Sequence, residues 1–177
     1  MIIERLTTPT ALPFDATDLA DHVRVTDAAQ IAEATRHGRA AAAEAEDYGQ
    51  LALLTQTIRV TLDAWPRTAW VALPITPMPD ALSVTVTVDG VAYDDFAVVA
   101  GQRPAIRPNA DKPFGVVVIE YQAGFGDAAS DIPAPLAHAI LDQAAALFDA
   151  RGLGDGKSNG MSAHMSRIVA RYRGVRL

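Results

Sequence analysis

The stretch TQTIRVTL, Thr55 to Leu62, puts Gln56, Ile58, Val60 and Leu62 on one side of an extended chain and Thr55, Thr57, Arg59 and Thr61 on the other. A period of two, rich in β-branched residues, is the signature of a half-buried strand. A helix would need apolar residues recurring at three and four positions. The alternation returns further on, where Leu82, Val84, Val86 and Val88 face away from Ser83, Thr85 and Thr87. Asp89-Gly90 comes next, and this dipeptide suits the positive φ angles of a two-residue hairpin turn. It predicts a strand that folds back through Val91 to Tyr93 and continues over Phe96 to Val99. Trp70 to Ile75 is a further candidate strand. Val116 to Tyr121, apolar on both faces except for Glu120, reads as the central strand of a small, mainly antiparallel sheet.

Outward from this middle the period becomes helical. After a lead punctuated by Pro9 and Pro13, Asp15 is placed to cap a short helix from about Thr17 to Val25, with Asp18 three residues on. Asp27 is placed to cap a second, Ala-rich helix that runs to about Tyr48 and stops at Gly49. On the far side Asp131, Pro133 and Pro135 open a helix with Leu136, Ile140, Ala144 and Leu147 or Phe148 on one stripe, ended by Gly152. Glycines 152, 154, 156 and 160 then read as a flexible joint before a last helix from about Ser162 to Arg173. The expected class is therefore α+β: a helical bundle core, a small antiparallel β-sheet subdomain inserted over about residues 54 to 122, and an extended C-terminal arm.

Charge follows the same division. From Lys157 onward there are five basic residues and no acid, whereas the preceding part sets ten basic residues against all twenty-one acids, a net charge of minus eleven. A cationic arm on an anionic body seeks nucleic acid, an anionic membrane or an acidic protein surface. Few large apolar residues accompany the cations, which disfavours the membrane. The absence of cysteine excludes disulfides, thiolate metal sites and a cysteine nucleophile. No apolar run approaches membrane-spanning length and the first residues do not form a signal peptide, so a soluble protein made in the cytoplasm is expected.

Several motifs tempt a catalytic reading and fall short. Residues 151 to 158 end in Gly156-Lys157-Ser158 like a phosphate-binding loop, but Arg151 stands where the first glycine belongs, and the segment follows a helix instead of a strand. His22, His37, His138 and His164 are far apart in sequence, and none has the spacing of a metal motif, so no metal or cofactor is expected. Ser83, Ser158, Ser162 and Ser166 lack a nucleophile elbow. Asp94-Asp95 reads as a solvated bend, and Gly124-Phe125-Gly126-Asp127 as a strand-ending turn. Trp65 and Trp70 read as core packing at the sheet edge, with exposed anchors as the alternative.

Six stretches in order carry a likeness. They are Leu19 to Val25, Leu54 to Pro66, Ala123-Gly124-Phe125-Gly126, Ile132 to Leu136, Ala139-Ile140-Leu141, and Phe148 with Arg151. Together the set resembles the head-tail connector (adaptor) proteins of long-tailed bacteriophages and of phage-derived gene transfer agents. The likeness covers about residues 10 to 151; the segment after Gly152 has no counterpart in it. It implies a structural, non-enzymatic protein at the head-tail interface of a virion or gene transfer agent particle, assembled in the host cytoplasm. Such connectors form a ring, typically of twelve copies, beneath the portal. The ring extends the DNA channel, lets DNA pass without specific binding, and docks the stopper or tail proteins. In that family a C-terminal segment reaches the portal. The basic segment occupies that position here, so Lys157, Arg167, Arg171, Tyr172, Arg173 and Arg176 are the expected portal-binding residues, on an arm over 153–177 hinged to a connector body over 1–152 with helices at about 15–48 and 133–151. Two other functions remain open at this stage: a nucleic-acid-binding protein using the basic arm, and a small hydrolase or nucleotide binder using the Gly156-Lys157-Ser158 loop.

Overall fold

The structure is a computed structural model that describes residues 1–109, 112–150 and 160–173. Two of the helices start where a carboxylate can satisfy their first N–H groups. Asp15 accepts from Thr17 N at 2.6 Å and Asp18 N at 3.2 Å and opens α1 (Ala16–Val23). These backbone donors hold the Asp15 carboxyl below the usual carboxylate range. Asp27 accepts from Ala29 N and Gln30 N in the same manner and opens α2 (Ala28–Gly49). The third helix, α3, spans Ala134–Ala150, and α4, Ala163–Val169, starts where Ser162 Oγ accepts from Met165 N at 3.1 Å. Asp131, expected as the α3 cap, instead accepts from Ala128 N at 3.0 Å and closes a preceding 3-10 turn.

Alanine sets how closely the bundle packs. Ala34, Ala41, Ala42 and Ala45 of α2 are buried against Leu136, Ala139, Ile140, Ala144 and Phe148 of α3, with Leu19 of α1 and Met165, Ile168 and Val169 of α4 completing the core. Two glycines of α2 carry the idea further. A Cβ on Gly38 would lie 2.5 Å from Phe14 Cζ, and one on Gly49 would lie 2.6 Å from Val169 Cγ1. Gly49 therefore serves close packing of α4, and the left-handed residue that ends α2 is Gln50 (φ 52°).

The strands in chain order are β1 (Ile2–Arg5), β2 (Gln56–Leu62), β3 (Val71–Ala72), β4 (Thr85–Val88), β5 (Val91–Ala92), β6 (Phe96–Val99), β7 (Ala105–Pro108) and β8 (Val117–Ala123). Five form an antiparallel sheet in the order β1-β2-β8-β4-β5, and three a second in the order β3-β7-β6. Registers such as Val60↔Ile119 and Val86↔Ile119 line up the buried faces, and both sheets enclose one core that includes Ile58, Ile106, Ile119 and Tyr121. The Tyr121 hydroxyl donates to Ile75 O and accepts from Ile75 N, both at 3.0 Å, and burial raises its pKa.

The α+β class is as expected, with β2 to β8 between α2 and α3 and β1 ahead of α1, but several details differ. The irregular lead hides β1, which pairs Ile2 to Arg5 with Thr61 to Ile58. Phe96–Val99 does not continue the hairpin; it pairs with β7 in the second sheet. Leu82 is 91 % exposed, because Asp80 Oδ1 accepts from Leu82 N at 2.8 Å and coils Ala81–Ser83 into a 3-10 turn. β8 is central but buries one face only; on the other, Glu120 pairs with Arg59 of β2. Trp65 is buried, whereas Trp70 is partly exposed with Arg107 stacked 4.9 Å over its ring. The last helix, expected over about Ser162 to Arg173, is α4 over Ala163–Val169, and it buries three side chains in the bundle. The supposed glycine joint over 152–156 and the boundary at 152/153 lie outside the described residues.

Candidate functional site

Four of the six residues expected to bind a portal are described, and all lie on or just after α4. The helix is amphipathic: Met165, Ile168 and Val169 turn inward while Arg167 stays exposed. The chain enters it through buried Gln143 of α3, whose Oε1 accepts from Ser162 N at 2.9 Å and whose Nε2 donates to Gly160 O at 3.3 Å. A buried amide satisfied at both ends fixes the approach of α4 to the bundle. Beyond α4, Tyr172 packs edge-on against Phe125 at 5.8 Å between ring centroids. Arg173 lies 5.6 Å over the Tyr48 ring. Arg167, Arg171 and Arg173 thus offer exposed guanidinium groups on a seated segment, while Lys157 and Arg176 lie outside the described residues, as does the near-match to a phosphate loop at 151–158.

A second constellation had no signal at the level of motifs. His22 near the end of α1, His138 on α3 and His164 on α4 converge on one carboxylate, Asp142. His22 Nε2 is 3.1 Å from Asp142 Oδ1; His138 Nε2 and His164 Nε2 are 3.6 and 3.8 Å from Oδ2. The His22 and His138 rings meet edge to face at 5.8 Å. Histidines read as far apart are therefore neighbours, and only the i, i+4 pair His138–Asp142 could have been found from spacing. No group of three or more His, Asp or Glu side chains among the described residues is arranged to hold a metal ion.

A third feature joins bundle to sheet. Glu46 of α2 accepts from Leu53 N at 2.7 Å and Gln56 Nε2 at 3.0 Å and faces Arg5 of β1 at 3.4 Å. Arg5 also donates to Gln56 Oε1 and Leu51 O, each at 2.8 Å. Burial pushes the Glu46 carboxyl above its usual range, against the pull of the Leu53 N–H, Arg5 and Gln56. These groups floor a pocket of about 380 Å³, open on one side to solvent, that Thr8–Pro13 of the lead and Arg39, Ala42 and Ala43 of α2 line. Asp94 and Asp95 are exposed, as expected, on the link between β5 and β6, where Asn109 donates to both the backbone and the side chain of Asp95. At the Gly124 turn a Cβ would lie 2.6 Å from the Leu54 backbone, so close chain approach accounts for that glycine.

No protein-family model matches the chain, and no curated protein does. Solved structures do. Along its whole length the chain is similar to chains of gene transfer agent particles. One belongs to the neck of an empty particle computed with C6 symmetry, at 27% identity and a TM-score of 0.80, covering 100% of this chain and 97% of that one. Another belongs to the virion of a native particle, at 26% identity and 0.79, and a third to the neck of a native particle computed with C12 symmetry, at 28% and 0.75, with the same coverage of 100% and 97%. The aligned length includes α4 and the residues after it, the part that the sequence motifs did not reach.

Proposed function

We propose that the chain is a structural head-tail adaptor: a subunit of a ring beneath the portal that extends the DNA channel and docks the stopper or tail proteins. The observation that carries this reading is the full-length likeness, at a TM-score of 0.80, to a chain in the neck of a gene transfer agent particle. Similar chains are components of assembled necks with six-fold and twelve-fold symmetry, which supports an oligomeric, particle-borne and structural role rather than catalysis. The charge pattern agrees with the role. A channel through which DNA slides must not collect phosphate contacts, since each one adds counterion-release affinity, and the part before Lys157 carries a net charge of minus eleven.

The portal-facing residues we assign are Arg167, Arg171, Tyr172 and Arg173 on the seated segment, with Lys157 and Arg176 beside them in sequence. Arginine forks suit acidic side chains on a protein partner. Removal of α4 would also remove three core residues, so charge reversal is the better test: Arg167→Glu, Arg171→Glu and Arg173→Glu together. The expected result is a folded subunit that no longer joins heads to tails in particle assembly. Normal yield of joined particles would overturn the assignment of these residues, while normal yield from particles lacking the whole protein would overturn the adaptor role. A salt titration with duplex DNA addresses the competing use of the same arginines as a phosphate track. Steep salt dependence, lost in the triple variant, would favour that reading.

A further inference from the structure

Besides the Gln143 hydrogen bonds at its entrance, α4 meets the bundle through two unlike contacts. Met165, Ile168 and Val169 are buried among apolar neighbours. Beside them His164 faces Asp142, onto which His22 and His138 also converge. We propose that these four side chains form a proton-operated clasp that holds α4 against α1 and α3 and loosens when more than one of the imidazoles is charged.

Negative charge is in short supply here. A single carboxylate can neutralise one imidazolium, yet three imidazoles face it at 3.1 to 3.8 Å. While the rings are neutral, each presents its Nε2 edge to Asp142 without adding charge. The first proton adds an ion pair. A second or third proton sets like charges side by side, with His22 and His138 only 5.8 Å apart between ring centroids. His164 has a second polar neighbour. Arg167 Nη2 lies 3.4 Å from His164 Nδ1, an arrangement in which the guanidinium donates and the ring nitrogen accepts. That fixes the His164 proton on Nε2, toward Asp142. Protonation of Nδ1 would replace this hydrogen bond with two opposed donors carrying like charge. The other charged groups on these elements are Asp18 and Asp21 on α1 with Arg24 at its end, Asp149 two turns beyond Asp142 on α3, and Arg167 on α4. On α2, Glu33, Arg36 and His37 share the bundle, and His37 meets Phe148 edge-on at 6.2 Å. The clasp is partly open to water, with side-chain exposures from 31% for His22 to 62% for His138. Loosening is therefore graded, and the apolar contacts keep α4 near its seat.

The inference concerns the isolated chain and stands whether or not the chain forms a ring. It is tested on the full-length protein, in buffer with a chelator, by amide hydrogen exchange at about pH 8 and about pH 5, expressed as protection factors corrected for intrinsic rates. Protection at Ile168 and Val169 is expected to fall at least about fivefold more than at Ala41 and Ala45 of α2. In a variant with His22→Gln, His138→Gln and His164→Gln that excess is expected to vanish. His164→Gln alone is the second variant and is expected to lose most of it. Parallel changes in α4 and α2, or an excess that survives in both variants, would overturn the clasp.

Discussion

The helical core and the sheet core solve the same problem with opposite materials. In the bundle, Ala34, Ala41, Ala42, Ala45 and the two glycines Gly38 and Gly49 bring backbones together, so that the limiting quantity is space. In the sheets, Ile58, Val60, Val86, Ile106, Val117 and Ile119 stand out from the backbone and fill a wider interior, so that the limiting quantity is volume filled. The difference teaches where each half is vulnerable. The sheet core should suffer most from removed atoms, and the bundle from added ones.

The largest effect is expected from Ile119→Ala, which empties the centre of β8 at a side chain with 0% exposure and should cost about 2–5 kcal/mol in urea unfolding. Equal loss from Ala45→Gly, which removes a methyl group from the bundle core, would break the contrast. Next comes Gly49→Ala. At an open helical site this change gains about 1 kcal/mol. Here the new Cβ would meet Val169 and Leu51 at 2.6 and 2.7 Å, so a loss of about 1–3 kcal/mol is expected, with reduced amide protection in α4. A gain in stability would show that the bundle has slack. The smallest effect belongs to the joint between the cores. Burial raises the folded-state pKa of Glu46, so its protonated form favours the fold. Its stabilising contribution is complete below the ordinary glutamate range and declines as pH rises through the raised value. Glu46→Gln keeps an oxygen for the Leu53 N–H and should flatten this part of the pH–stability curve while changing the unfolding free energy in neutral buffer by no more than about 1 kcal/mol. An unchanged slope would remove Glu46 from the account.

What could be read from the sequence was local. Asp15 and Asp27 cap the residues that immediately follow them, the Gln56–Leu62 alternation needs only a sided environment, and Asp89-Gly90 specifies its own turn, with φ of 49° and 79°. What was missed depended on distant partners. Ile2–Arg5 is a strand only because β2 offers an edge fifty residues away, beside which Arg5 meets Gln56 and Glu46. Phe96–Val99 alternates too weakly to choose a sheet, and β7 decides it. The convergence of His22, His138 and His164 needs three helices in place before it exists at all. Among the candidate site residues, the exposure of Arg167 followed from helical spacing, whereas the burial of its neighbours Ile168 and Val169 in the body did not.

The chain between α2 and β2 is the feature with the widest reach. Leu51, Leu53 and Leu54 belong to the helical core, Ala52 to the sheet core, and β2 begins two residues later. These four residues act as a party wall instead of a hinge. A pull on the sheets would be felt in the helices with no slack to take up, so the two halves should yield together under force, in one rupture, when single molecules are stretched from their ends.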